Sequence, residues 1–249
     1  MLKVRIIPVL TFNGWSLVKT KRFSNPRIVG NPVQAARVYN SRGVDELIFI
    51  DIFATKQKRK INLKTIKDVI DQCFMPVGIG GGISTISDIK DMLQIGADKV
   101  IIKTSALINP AFVKEASDFF GSQCISVSVD VTKNADGIYT VYNELGVDIT
   151  MIDFIQKMQD LGAGEIVLNS VENDGVMEGF DSLMYNQAQT VTNLPIVCVG
   201  GGGELIHYEK LFTETNCDTV GSASIFHFTQ YTPLDIKNTL KRLGKPVRI

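Results

Sequence analysis

The sequence predicts an α/β fold, a (β/α)8 barrel built from two similar half-barrels, and three observations predict it. Short β-branched runs alternate with longer periodic segments along all 249 residues. Those runs are apolar almost throughout, as in parallel strands covered by helices, and lack a strict in–out alternation. Two glycine-rich strand ends, residues 77–82 and 197–203, also stand nearly half the chain length apart.

The predicted strands are residues 4–10, 46–52, 76–79, 99–103, 124–129, 165–170, 195–199 and 219–222. Helical segments between them include 32–41, 84–95, 110–119, 149–161, 205–212 and 234–243. Asn31 and Asn109 each precede a proline at a first helical position, and Gly43, Gly96 and Gly162 follow a last turn. Eight β-then-α units in this order favour a closed barrel over an open, Rossmann-like sheet. Counting G-x-G-x-x-G from Gly78 or Gly200 ends on Ile83 or Leu205, so the dinucleotide fingerprint fails.

Further echoes keep the same half-length spacing. Ala97-Asp98-Lys99-Val100 with Thr104 matches Cys217-Asp218-Thr219-Val220 with Ser224. The segment 45–51 echoes 164–170, and 5–10 echoes 125–130. The expected halves are about 1–122 and 123–249 of one domain, with two similar anion sites facing each other.

Twenty-six basic and 26 acidic side chains balance, so no global field draws the chain to nucleic acid or a membrane. Apolar runs stay strand-sized, short of the ~20 residues that span a bilayer. The N-terminus has no signal-peptide form, so a cytoplasmic location is expected. Cys73, Cys124, Cys198 and Cys217 lack CxxC spacing and read as reduced thiols. With only His207 and His227 present, no zinc site, other metal or cofactor is expected.

Residues after strand C-termini form the active face of such a barrel. There Gly81 and Gly82 follow strand three, Thr104 strand four, Gly201 and Gly202 strand seven, and Ser222 and Ser224 close strand eight. Glycine backbones approach oxyanions closely, so the duplicated pair predicts a two-phosphate ligand. The alternative is that these glycines only make tight turns. Asp130 ends strand five, as a general acid or base or as a solvated turn residue. Asp51 and Asp174 close strands or begin loops, and Lys19 lies in the first βα loop. The position matching Asp130 in the first half is Leu10 or Thr11, and neither exchanges a proton near neutral pH. The basic run 56–60 reads as a solvated loop, or as one that meets a diphosphate.

Nearly the whole chain resembles the HisF family, the cyclase subunit of imidazole glycerol phosphate synthase. The resemblance rests on Arg5-Ile6-Ile7-Pro8, Gly80-Gly81-Gly82-Ile83, Gly96-Ala97-Asp98-Lys99-Val100, Leu161-Gly162-Ala163-Gly164-Glu165-Ile166 and Ser224-Ile225-Phe226-His227-Phe228. It implies ammonia supply from a HisH-like glutaminase partner, a phosphorylated small-molecule ligand, and cleavage and cyclisation by two aspartates. Asp130 matches one aspartate; Thr11 stands where the other belongs. Val9 replaces a family cysteine, Lys103 an asparagine at a phosphate-binding position, Ile101 and Val199 serines, and Asn169 a threonine. Lys19, Asp51, Thr104, Asp174 and Ser224 match.

Arg5, Glu46, Lys99 and Glu165 begin strands one, two, four and six and could be rim ion pairs. The resemblance makes them an ammonia gate, with Asp98 and Gln123 facing the glutaminase. A retained gate beneath an altered centre leads to the expectation of a paralogue. It would supply ammonia to a third, sugar-amidating protein that forms an acetamidino group on a surface-polysaccharide sugar. The alternatives are the genuine cyclase of histidine biosynthesis, a lyase, and a regulatory barrel that binds phosphate ligands without catalysis.

Overall fold

The computed structural model describes residues 3–249. The chain begins with β1 (Arg5–Phe12), the antiparallel pair β2 (Leu17–Lys21) and β3 (Ser24–Gly30), then α1 (Pro32–Ser41). Next come β4 (Leu47–Asp51), α2 (Leu63–Ile70), β5 (Val77–Gly80), α3 (Ile86–Gln94) and β6 (Lys99–Ile102). A short α4 (Thr104–Ile108) precedes α5 (Ala111–Phe120). β7 (Ile125–Lys133), β8 (Tyr139–Val141), α6 (Met151–Asp160), β9 (Glu165–Ser170) and α7 (Ser182–Gln189) follow. The chain finishes with β10 (Ile196–Val199), α8 (Leu205–Glu214), β11 (Thr219–Ser222), a short α9 (Ser224–Phe228) and α10 (Pro233–Arg242).

β1, β4, β5, β6, β7, β9, β10 and β11 are parallel neighbours in that order. β11 then pairs with β1, from Arg5↔Thr219 to Pro8↔Ser222, and closes the predicted (β/α)8 barrel. All eight predicted strands are present, and two run longer than expected. β1 continues to Phe12 because β4 and β2 both pair with Thr11 and Phe12. β7 continues to Lys133 because β8 pairs with its last three residues. Asp130 therefore lies inside its strand, where the sequence reading put it at the end. Thr132 and Lys133 of β7, by contrast, lie beyond β9 and take their ladder hydrogen bonds from β8 alone.

Asn31 caps α1 as expected, its side chain accepting from the Val33 and Gln34 amides. Asn109 does not cap α5: its backbone carbonyl accepts from Phe112 and its side chain plays no part. The helical segments named from the sequence do not include α2 or α7. Their starts are nonetheless capped, by Asn62 and Asp181 respectively.

Side-chain parity along the strands sets both ends of the barrel. Ile7 and Val9 of β1 pack in the lumen with Ile48, Ile101, Val167, Val197 and Val199. Ile6, Leu10 and Phe12 belong to the separate cluster under the helices. Because successive residues face opposite ways, the inner row of β1 reads Arg5, Ile7, Val9, Thr11. The inner row of β9 likewise reads Glu165, Val167, Asn169. Each row has a charged residue at the base, an apolar middle and a polar residue at the top.

Candidate active site

A cavity of about 390 Å³ opens over the C-terminal ends of the barrel strands. That volume is typical of small-molecule pockets. Thr11, Lys19, Asp51, Lys103, Asp130 and Asp174 line it, together with Gly81, Gly82, Thr104, Gly201, Gly202, Ser222 and Ser224. The predicted catalytic and phosphate-binding residues thus share one cavity.

Asp130 is buried and its carboxylate is fully attended. Lys103 forms an ion pair with one oxygen. The Ser128 hydroxyl and the Asn169 amide approach the other at 3.4 and 3.3 Å. Lys103 Nζ also lies 5.6 Å from the ring centres of both Phe23 and Tyr142, close enough for cation–π attraction. Phe23 sits in the turn between β2 and β3, and Tyr142 follows β8. Sequence reasoning missed both aromatics because it placed neither β-excursion. Thr11 offers nothing to Asp130: its hydroxyl donates to the Val18 carbonyl across the β1–β2 ladder.

The remaining acids are engaged by neighbours. Asp51, whose side chain is fully buried, receives Arg59 through both oxygens at 2.6 and 2.9 Å. Its Oδ1 also accepts from the Phe53 and Ala54 amides, 3.1 Å each. Asp174 takes Lys19 Nζ at 3.1 Å and the Thr20 hydroxyl at 3.0 Å. His227 is held neutral: burial, then the nearby charge of Lys19, lowers its pKa to about 4.

The basic run 56–60 is therefore not simply a solvated loop. Arg59 ties Asp51, Lys60 pairs with Asp88, and Lys56 reaches Glu144 at 2.5 Å. Most of its charge is spent within the chain, which folds the loop down beside the cavity.

The matched glycines have a packing reason. Gly81 and Gly201 adopt φ of 110° and 115°, in the left-handed region. A Cβ would lie 2.3 Å from the Asp51 carbonyl oxygen at Gly81 and 1.9 Å from that of Gly179 at Gly201. The tight-turn alternative accounts for these two residues without any ligand. Thr104 and Ser224 each open a short helix after the next strand, α4 and α9. The Ser222 hydroxyl is buried and shares a 2.7 Å hydrogen bond with Tyr208.

At the opposite mouth the four predicted gate residues form a closed ring. Arg5 donates to Glu46 at 2.9 Å and to Glu165 at 2.8 Å. Lys99 bridges the same two carboxylates at 2.9 and 3.0 Å. Burial would lower the Arg5 pKa, but Glu165 and Glu46 outweigh it and raise it further. Asp98, beside the ring, accepts the Val77 amide at 2.8 Å, and Gln123 is exposed.

Among the described residues no three His, Cys, Asp or Glu side chains gather as a metal site. No helix among them is long and apolar enough to cross a membrane. Burial raises the pKa of Cys217 to about 12 and that of Cys198 well above the usual thiol value.

Fold and site together define a (β/α)8-barrel protein with a lysine–aspartate centre at one mouth and an ionic ring across the other. The pattern of the family described as "Histidine biosynthesis protein" matches residues 5–232. The chain belongs to this family. It is 41% identical over 252 residues to "Imidazole glycerol phosphate synthase subunit HisF" of Staphylococcus saprophyticus, covering 100% of both chains. Proteins of that name from Streptococcus sanguinis and Clostridium botulinum strain Langeland are 41% and 36% identical, also across 100% of both chains. These names agree with the HisF resemblance and with membership of a multi-subunit synthase. They give no support to the expected polysaccharide-modifying paralogue and favour the histidine-pathway alternative.

Proposed function

We propose that this chain is the ammonia-receiving synthase subunit of a glutamine amidotransferase complex. The observation that carries the reading is the closed ring of Arg5, Glu46, Lys99 and Glu165 beneath a lumen lined mainly by aliphatic side chains, with Ser126 and Ser128 on β7, that ends at Asp130. A glutaminase subunit would dock on the basal face near Asp98 and Gln123. Ammonia would pass the ring and enter the lumen. A ligand with two phosphates would lie across the upper cavity, one end near Gly81, Gly82 and Thr104. Its other end would lie near Gly201, Gly202, Ser222 and Ser224. The two anion sites follow from the two half-barrels, 1–122 and 123–249. Lys19 and Asp174 would fix the first βα excursion over the ligand, in a complex that works in the cytoplasm.

The relatives' names favour the imidazole glycerol phosphate synthase reaction, in which ammonia joins the two-phosphate histidine precursor and the adduct is cleaved and cyclised. Asp130, at the top of the lumen, would be the acid that moves protons.

A second reading is favoured by the state of the acids. The Thr11 hydroxyl is committed to Val18, Lys103 holds Asp130, Arg59 holds Asp51, and Lys19 holds Asp174. No free carboxylate stands opposite Asp130 among the described residues lining the cavity. Losing a positioned acid or base costs ~10²–10⁴-fold in rate. On this reading the barrel conducts ammonia to a third protein that amidates a sugar.

One assay separates the readings: the purified chain, the histidine precursor and excess ammonium salt, followed by loss of precursor absorbance. Turnover in the usual enzyme range, ~1–10³ s⁻¹, would establish the cyclase. Its absence, with capture of a glutaminase on the basal face, would favour ammonia delivery.

A further inference from the structure

Two buried hydroxyls interrupt the aliphatic lining of the lumen. Ser126 and Ser128 lie on β7 and are 1% and 8% exposed. Their strand neighbours Val127 and Val129 belong to the cluster under the helices. Successive residues face opposite ways, so Ser126, Ser128 and Asp130 form one inner row that climbs from the ring to the cavity. Ser126 stands in register with Glu165 of the ring, and its Oγ donates to Glu165 Oε2 at 3.2 Å. Ser128 stands beside Val167, and its Oγ approaches Asp130 Oδ1 at 3.4 Å.

The two partners decide the direction of both hydroxyls. An ionised carboxylate accepts only, so each serine proton points to its acid and each serine oxygen keeps its accepting lone pairs. Among the described residues no side-chain or amide donor reaches either oxygen. Two residues of strand separate them, roughly 7 Å. One small molecule donating to both at ~2.9 Å covers most of that distance. The lumen cluster of Ile7, Ile48, Ile101, Val167 and Val197 offers it no other polar group. Both ends of the row are reachable. Ser126 touches the ring itself, so a molecule that has passed the ring meets it before any aliphatic layer. Ser128 lines the floor of the upper cavity, with Val9, Ile101 and Val199.

We infer that Ser126 and Ser128 are paired acceptors that hold ammonia, as neutral NH3, between the ring and Asp130. This rests on the proposal that ammonia enters by the basal ring. NH3 donates one N–H to each oxygen and keeps its lone pair free. Ammonium suits the place poorly. The Glu165 and Asp130 charges are already met by Arg5, Lys99 and Lys103, and an uncompensated ion is costly among aliphatic side chains. Water has the same two-donor geometry and is the competitor. Passage from Ser126 to Ser128 brings the nitrogen to the cavity floor beneath Asp130. Both serines are positioning residues for the nucleophile.

The test is neutron diffraction from crystals of the full chain in deuterated buffer. One set is soaked in ammonium chloride under mildly alkaline conditions, one in the same salt below neutral pH, and one in sodium chloride. The expected result is nuclear density between Ser126 and Ser128 in the alkaline ammonium soak alone, with deuterons directed at both Oγ atoms. Equal density in sodium chloride is water, and density in the acidic soak is ammonium; either overturns the assignment, as does an empty lumen. Ser126→Ala with Ser128→Ala widens the passage while removing both acceptors, so the density should vanish; its persistence would also overturn the assignment. Where the precursor assay shows turnover, the same double variant should raise the KM for ammonium roughly tenfold, the net worth of one hydrogen bond, and leave that for the precursor unchanged. A purely steric conduit would pass ammonia at least as well after this change, and an equal rise in both KM values would mark merely structural residues. If the parent chain does not turn over the precursor, the cyclase reading fails, while diffraction still decides the role of the serines. Failure to capture a glutaminase would remove the source of ammonia and leave the density untouched.

Discussion

The Lys103 ammonium group is ion-paired with the Asp130 carboxylate, one residue before β8 begins to pair with β7. The Asp130 carboxylate is therefore clamped, and Thr11 supplies no second carboxylate to relieve it. This predicts that Thr11→Asp alone adds little cyclase activity. The double variant Thr11→Asp with Lys103→Asn should raise ammonium-dependent precursor turnover by roughly 10² or more, the usual worth of a positioned acid or base. If the double variant stays as slow as the parent in a rate measurement, these two positions do not limit the chemistry.

Arg59 matters for stability before it matters for binding. It is the charged partner of a carboxylate with no solvent exposure, and it holds the 56–60 loop down. Breaking such a pair from one side typically costs ~3–5 kcal/mol; because Arg59 is partly exposed, about 2–4 kcal/mol is expected for Arg59→Met. Urea unfolding should show a lower midpoint with little change in slope. An unchanged midpoint would mean that the two backbone amides alone satisfy Asp51.

Removing one member of the basal ring leaves an odd charge in a partly buried site. Lys99→Met should therefore lower thermal stability, and Lys99→Met with Glu165→Gln should recover part of the loss, because the second change removes the excess negative charge. Calorimetry on the two variants checks this. Additive losses in the double variant would show that the four side chains do not act as one ring.

The depressed pKa of His227, about 4 against an ordinary 6.5, sets a pH window. Between those values the unfolded chain binds a proton that the folded chain refuses, so folding stability rises with pH across the window. It is complete above about 6.5 and is lost as pH falls toward 4. His227→Phe should flatten this part of the stability–pH curve. A curve with the same slope in the variant would assign the acid sensitivity to other groups.

Cys198 and Cys217 are buried with raised pKa values, so neither should react with a thiol reagent near pH 8 in the native chain. Denaturation should expose them. Rapid native labelling of either residue, read by mass spectrometry, would contradict the packing around β10 and β11.

The sequence by itself determined the barrel, because strand and helix periodicities are local patterns that survive in any folded context. It also determined that Thr11 supplies no carboxylate, since residue identity needs no coordinates. The positions of Arg5 and Glu165 at strand starts and of Thr11 just past a strand end were legible in the same way, and they placed these residues at opposite mouths. Only the tertiary structure decided what each group touches. The Arg5–Glu165 contact joins residues 160 positions apart, and Lys19–Asp174 joins residues 155 apart. The Phe23–Tyr142 bracket around Lys103 depends on two antiparallel excursions meeting over the mouth. The hydroxyls of Ser126 and Ser128 acquire their direction only once Glu165 and Asp130 stand beside them. Contacts of that range are set by barrel closure and register, which no local stretch of chain encodes.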